Sequence, residues 1–178
     1  MSRKLHIGGK QKSPDWEILD IIPNPYVNHV CNARDLSQFE SNTFAVIYAS
    51  HVLEHFDYNN ELPSALREWY RVLKPGGKIY ISVPDLDILA QLFILKEQLT
   101  VNDRFAIMRM IFGGHLNKYD FHLVGLNEEF LAALLKQIGF ITICKVDRFN
   151  IFDDDSNLSF QGVHISLNMI AEKPIEEV

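Results

Sequence analysis

Two cysteines in 178 residues, Cys31 and Cys144, are too few for a disulfide framework and too far apart for a metal knuckle. They read as ordinary thiols of a reducing compartment. No apolar run approaches the roughly 18 residues of a membrane span, and Met1 to Lys12 carries basic residues without the continuous apolar stretch of a secretory leader. A cytoplasmic location is expected. Positive charge is also short: 17 Lys and Arg against 23 Asp and Glu leave a formal charge of -6. A chain that binds phosphate backbones or anionic lipid relies on a basic surface to release counterions, so nucleic acid is not the expected partner.

Three chemical signatures are missing as well. Without Gly-x-Gly-x-x-Gly there is no dinucleotide fingerprint, and without His-Glu-x-x-His or paired cysteines there is no familiar metal set. No metal ligands are therefore assigned. Ser50 lacks the flanking glycines of a nucleophile elbow, which excludes a hydrolase triad built on it.

What is present is an ordinary globular composition, 47% apolar, 11% aromatic and 22% charged. The length suits one domain, residues 1–178. Short apolar runs alternate with amphipathic stretches, the pattern of strands interleaved with helices around a mainly parallel sheet. Strands are expected at Lys4–Ile7, Trp16–Ile21, Val27–Cys31, Phe44–Tyr48, Lys78–Val83, Ile141–Val146 and Ile165–Ala171. Glu61–Leu73 carries apolar groups at Leu62, Ala65, Leu66, Trp69, Val72 and Leu73, a helical stripe stopped by Pro75-Gly76-Gly77. Asp85 is placed to cap a following helix, and Leu86–Phe112 reads as two helices broken near Thr100–Asp103. It opens a helical insertion at about 86–126. Asn127 and Gly139 bracket a further helix, Glu128–Ile138, and Asn150–Gly162 reads as a polar connection.

In a parallel sheet the ligand lies beyond the carboxyl ends of the strands. Those ends hold Gly8-Gly9, Asp20, Asn32-Ala33-Arg34 and Ser50-His51 in order along four strands. A glycine pair allows close backbone approach, and an acid ending the second strand can accept both hydroxyls of a ribose, so the set describes a nucleoside site. His51, Glu54, His55, His115 and His122 supply candidate proton acceptors, since a histidine pKa lies near working pH. Glu54 and His55 also suit a plainer role, capping the helical turn after the strand. Phe93, Phe105, Met108, Met110 and Phe112 are expected as core more than as an acceptor pocket.

Phe44-Ala45-Val46-Ile47-Tyr48-Ala49-Ser50-His51-Val52-Leu53-Glu54-His55-Phe56, followed by Leu66-Arg67-Glu68-Trp69-Tyr70-Arg71-Val72-Leu73-Lys74-Pro75-Gly76-Gly77, resembles the class I S-adenosylmethionine-dependent methyltransferases, in particular the methyltransferase type 11 branch. Leu134-Leu135-Lys136-Gln137-Ile138-Gly139-Phe140 resembles that family's last helix and turn. The resemblance runs from about Lys4 to Lys173 and implies a Rossmann-like three-layer α/β sandwich on a mainly parallel seven-stranded sheet. It implies S-adenosyl-L-methionine as cofactor, with Gly8 and Gly9 at its methionine moiety, Asp20 at the ribose and Asn32, Ala33 and Arg34 around adenine. Ser50 and His51 would flank the methyl end, and His51, His55 and His122 are the expected catalytic residues.

Three departures from the family stand out. His6 takes the place of an acid in the first motif, and Asn32 the place of one at the adenine. Lys10 to Asp15 spans six residues where a helical crossover needs a dozen or more, so the first crossover helix is missing or reduced, with Lys10 or Lys12 left to meet the cofactor's carboxylate. The expected activity is methyl transfer to a small or medium acceptor. The alternative is a catalytically silent binding or interaction module of the same fold.

Overall fold

The computed structural model describes residues 2–175. Nine strands and four α-helices appear among them. β1 (Lys4–Ile7), β2 (Glu17–Asp20), β3 (His29–Val30), β4 (Phe44–Ser50), β5 (Leu73–Pro84), β6 (Ile141–Val146) and β9 (Ser166–Glu172) form one sheet in the order β3-β2-β1-β4-β5-β9-β6. Pairing is parallel from β3 through β5, and β9 runs antiparallel to both β5 and β6. β7 (Ser159–Phe160) and β8 (Val163–His164) make a separate hairpin. This is a Rossmann-like α/β fold.

The helices follow their sequence signals. In α1 (Glu61–Val72) the stripe Leu62, Ala65, Leu66, Trp69 and Val72 is wholly buried. α2 (Leu86–Ile94) begins at Asp85, whose side chain accepts from the amides of Asp87 and Ile88. α3 (Val101–Phe112) starts with a reciprocal capping box between Thr100 and Asp103, and α4 (Glu128–Ile138) runs from Asn127 to Gly139, which adopts φ 114°. Of the five large apolar residues expected as core around α2 and α3, Phe105 and Phe112 are instead exposed, at 59% and 54%. The buried residues of that region are Leu89, Leu92, Ile107 and Ile165.

Two strands differ most from expectation. The third strand shrinks to His29–Val30, because Asn28 and Cys31 bond β2 from outside the ladder. The fifth strand starts at Leu73 rather than Lys78, because Leu73 leaves the helix with extended dihedrals and pairs with Phe44 across a bulge. Pro75-Gly76-Gly77 therefore ends the helix as a bulged strand entry and not as a free turn.

The two sheet faces are covered unequally. Leu5, Ile7, Ile47, Ala49, Ile79 and Ile81 pack with Trp69 and Leu66 of α1 and Leu131 and Leu135 of α4 in one continuous core. The opposite face presents His6, Tyr48, Tyr80 and Asn168. No helix joins β1 to β2 or β2 to β3, as the short first connection required. Part of the connection from β6 to β9 lies there instead. Phe152 stacks on His6 at 4.3 Å between ring centres and meets Tyr48 at 4.8 Å and Trp16 at 5.2 Å. Tyr48 donates its hydroxyl hydrogen among Asp154 and Ser156, and Asn168 Nδ2 donates to the carbonyls of Asp147 and Ser156. A segment expected as a plain polar loop thus supplies aromatic cover where the helix is lacking. Beside it, Lys4, Lys12, Trp16 and Tyr26 border an open groove of about 750 Å³. No helix among the described residues is long and apolar enough to cross a membrane.

Candidate active site

The carboxyl ends of β1, β2, β3 and β4 share one edge of the sheet, as the parallel register dictates. Gly8 turns out of β1 with φ +75°, and a Cβ there would stand 2.7 Å from the Val52 side chain. A Cβ on Gly9 would stand 2.9 Å from the His6 ring. Both glycines are thus demanded by the chain's own packing. Asp20 ends β2, where its Oδ1 accepts from the amide of Ile22. Asn32 Oδ1 accepts from the amide of Arg34, whose guanidinium pairs with Glu61. Ala33 is buried, and its carbonyl accepts the Trp69 indole N–H at 2.7 Å. Ser50 Oγ is buried without a hydrogen-bond partner.

His51 follows β4 with φ +54°, left-handed backbone that a residue with a side chain adopts at a cost and that clusters at functional sites. Its amide donates to Ser82 O, its Nε2 lies 3.1 Å from Ser166 Oγ, and its Nδ1 lies 3.4 Å from Glu54 Oε1. Burial holds the imidazole down to about 4. Lys10, one of the two lysines expected to meet a bound carboxylate, is paired with Asp155 at 2.8 Å. Asp155, from the connection between β6 and β9, thus reaches the strand ends, an approach that its distance in the sequence hides.

A 3-10 turn, Leu53–His55, follows. Glu54 does not cap it: the side chain is 1% exposed and neither carboxylate oxygen has a hydrogen-bond partner. Burial pushes its carboxyl up to about 8. The Glu54 carbonyl accepts from the amides of Leu123 and Val124, which brings the segment after α3 against the turn. His122 then meets His55 edge to face, 4.9 Å between ring centres. Burial lowers both, His122 to about 4. The structure therefore unites His51, His55 and His122 around Glu54, the residue whose isolation no local pattern reveals. His115 stays outside, stacked on Phe121 with its Nε2 at Phe112 O.

Residues 10–81 match the family described as "Methyltransferase domain". No curated protein matches the chain. Among solved structures, a SAM-dependent methyltransferase from Methanosarcina mazei shares 18% identity at TM-score 0.60, over 98% of this chain and 93% of that one. The 1,6-didemethyltoxoflavin-N1-methyltransferase of Burkholderia thailandensis, solved with 1,6-didemethyltoxoflavin and S-adenosylhomocysteine, shares 17% at TM-score 0.57, over 97% and 72%. The CurJ carbon methyltransferase shares 16% at TM-score 0.56, over 97% of this chain and 48% of that one, so this chain spans about half of its length. The chain therefore has the fold of these methyltransferases, and residues 10–81 carry the methyltransferase-domain pattern.

Proposed function

We propose that the protein is an S-adenosyl-L-methionine-dependent methyltransferase of the cytoplasm, acting on a small or medium acceptor rather than on nucleic acid. The observation that carries this reading is the line of strand ends: Gly8, Asp20, Asn32 and Ser50 meet along one edge of the sheet. The residues fit the cofactor. Asp20 keeps one carboxylate oxygen beyond its turn bond for ribose hydroxyls, and the Ser50 hydroxyl is a buried polar group lacking a partner. Asn32 retains acceptor capacity for an adenine amino group, with Ala33 and Arg34 alongside. Gly8 and Gly9 keep backbone free of side chains at the methionine end.

When bound, the cofactor supplies a methyl group already activated on a sulfonium. The chain's own work is orientation and exclusion of water. Burial keeps the His51 imidazole neutral, with a nitrogen lone pair available to an acceptor hydroxyl or nitrogen, and His51 directly follows β4 at that edge of the sheet.

Titration with S-adenosylhomocysteine tests the reading. Saturable heat that falls at least about tenfold in affinity in Asp20→Ala, a loss of about 1.4 kcal/mol, supports it; no heat from folded protein at millimolar ligand sinks it. His51→Ala is expected to lower single-turnover methyl transfer while S-adenosylhomocysteine affinity stays within about threefold, less than 1 kcal/mol. Unchanged turnover removes His51 from the site. A second reading, the silent module, draws on the Lys10–Asp155 pair and the missing crossover helix, and it expects neither heat nor an Asp20 effect.

A further inference from the structure

We propose that Glu54, His55 and His122 form a binding site for one divalent first-row transition ion, with Zn²⁺ the best match. One ligand atom from each residue lies within 4.8 Å of the others. Bonds of about 2.0–2.2 Å to one ion bring ligand atoms to about 3–4 Å of each other.

The orientation of the rings is already fixed. His55 Nδ1 lies 3.1 Å from Phe121 O and His122 Nδ1 lies 3.0 Å from Met110 O. A carbonyl only accepts, so each Nδ1 carries the hydrogen and each Nε2 presents its lone pair. This is the outer-shell arrangement that orients metal-binding imidazoles and raises their basicity. The backbone holding the two halves together is equally constrained: Glu54 O accepts from Leu123 N at 2.7 Å, and His122 N donates to Phe112 O at 3.0 Å.

The carboxylate completes the argument. Glu54 is 1% exposed with neither oxygen hydrogen-bonded, and His51 Nδ1 lies 3.4 Å from its Oε1. A buried carboxylate in that state is costly, and a cation shared with His55 and His122 offsets the cost. Two imidazole nitrogens and one carboxylate oxygen, with no thiolate, favour Zn²⁺ or a neighbouring transition ion over Mg²⁺ or Ca²⁺, which take oxygen ligands. Three protein ligands leave coordination open to water or to another oxygen or nitrogen donor. The site stands whether or not the chain transfers methyl groups.

The test uses the full chain without an affinity tag, stripped with chelator and titrated calorimetrically with Zn²⁺ and, separately, with Mg²⁺. One Zn²⁺ per chain is expected, with Mg²⁺ at least about 100-fold weaker. Glu54→Gln, His55→Ala and His122→Ala should each weaken Zn²⁺ by more than about 100-fold. His29→Gln, on the edge strand β3, should leave it unchanged. Circular dichroism confirms that each variant is folded; Glu54→Gln keeps side-chain shape while removing charge. As a measurement free of variants, Zn²⁺ should raise the wild-type Tm in a concentration-dependent way. No saturable Zn²⁺ binding by the wild type, or binding that persists through all three substitutions, overturns the proposal.

Discussion

Trp69→Ala is expected to cost about 4 kcal/mol, within the range for deleting a fully buried tryptophan. Trp69 is 0% exposed at the centre of α1's buried stripe. The loss combines a large cavity with a carbonyl left unpaired, because the indole N–H bonds Ala33 O at 2.7 Å. Domains of this kind retain about 5–15 kcal/mol in total, so the variant should unfold near physiological temperature. At about 2–4 °C per kcal/mol for this length, Tm should fall by about 8–16 °C. A fall of less than about 4 °C, close to 1 kcal/mol, would refute the assignment of Trp69 as a central packing residue.

The same residue connects stability with the site. Between β3 and β4 the chain forms no helix, and α1 fastens that connection from outside: Trp69 holds Ala33, Glu68 accepts from Leu36 N, and Arg71 donates to Leu36 O and Phe39 O. Ala33 lies in the segment proposed above to meet adenine. Trp69→Phe keeps most of the packing but abandons the carbonyl, so it should cost about 1–3 kcal/mol.

The second large effect is a dependence on acid. Burial under Phe152, with Tyr48 and Trp16 at its edges, lowers His6 from 6.5 to about 4. The folded chain therefore keeps this imidazole neutral while the unfolded chain protonates it below about 6.5. Between those values the unfolded state binds more protons, so the contribution is intact above pH 6.5 and is lost as pH falls toward 4. The difference amounts to about 3 kcal/mol.

His51 and His122, also held to about 4 by burial, act with the same sign. Glu54 acts oppositely, because a carboxyl raised to about 8 loses its contribution as pH rises from the ordinary carboxylate range toward 8. The wild-type profile mixes these, so the informative quantity is the stability difference between wild type and His6→Phe. Urea unfolding at pH 7 and pH 4 should show that difference shift by about 3 kcal/mol in favour of the variant at low pH. A difference independent of pH would show that His6 does not titrate on unfolding.

Much of the scaffold was legible before any coordinates. Caps and stops at Asp85, Asn127 and Gly139 act within one helical turn, and the buried stripe of α1 repeats at helical period, so neighbouring residues carry the information. The six residues between Gly9 and Trp16 were enough to remove a crossover helix, because chain length alone forbids it. Two boundaries escaped for a related reason. Leu73 and Cys31 have pairing states set by partners on other strands, Phe44 and Asp20, and no local pattern records a distant partner.

The site divides along the same line. The sequence by itself determined which residues end the strands, since alternation and turn residues place Gly8, Asp20, Asn32 and Ser50 there without reference to the rest of the chain. Tertiary structure decided what those ends face. It closed Lys10 onto Asp155 across 145 positions, laid Phe152 over His6, and set His122 beside a glutamate 68 residues earlier whose carboxylate meets no donor. Periodicity reports the environment of a residue relative to its own element. Isolation of a buried carboxyl group is a property of everything that packs around it, and it appears only when the elements meet.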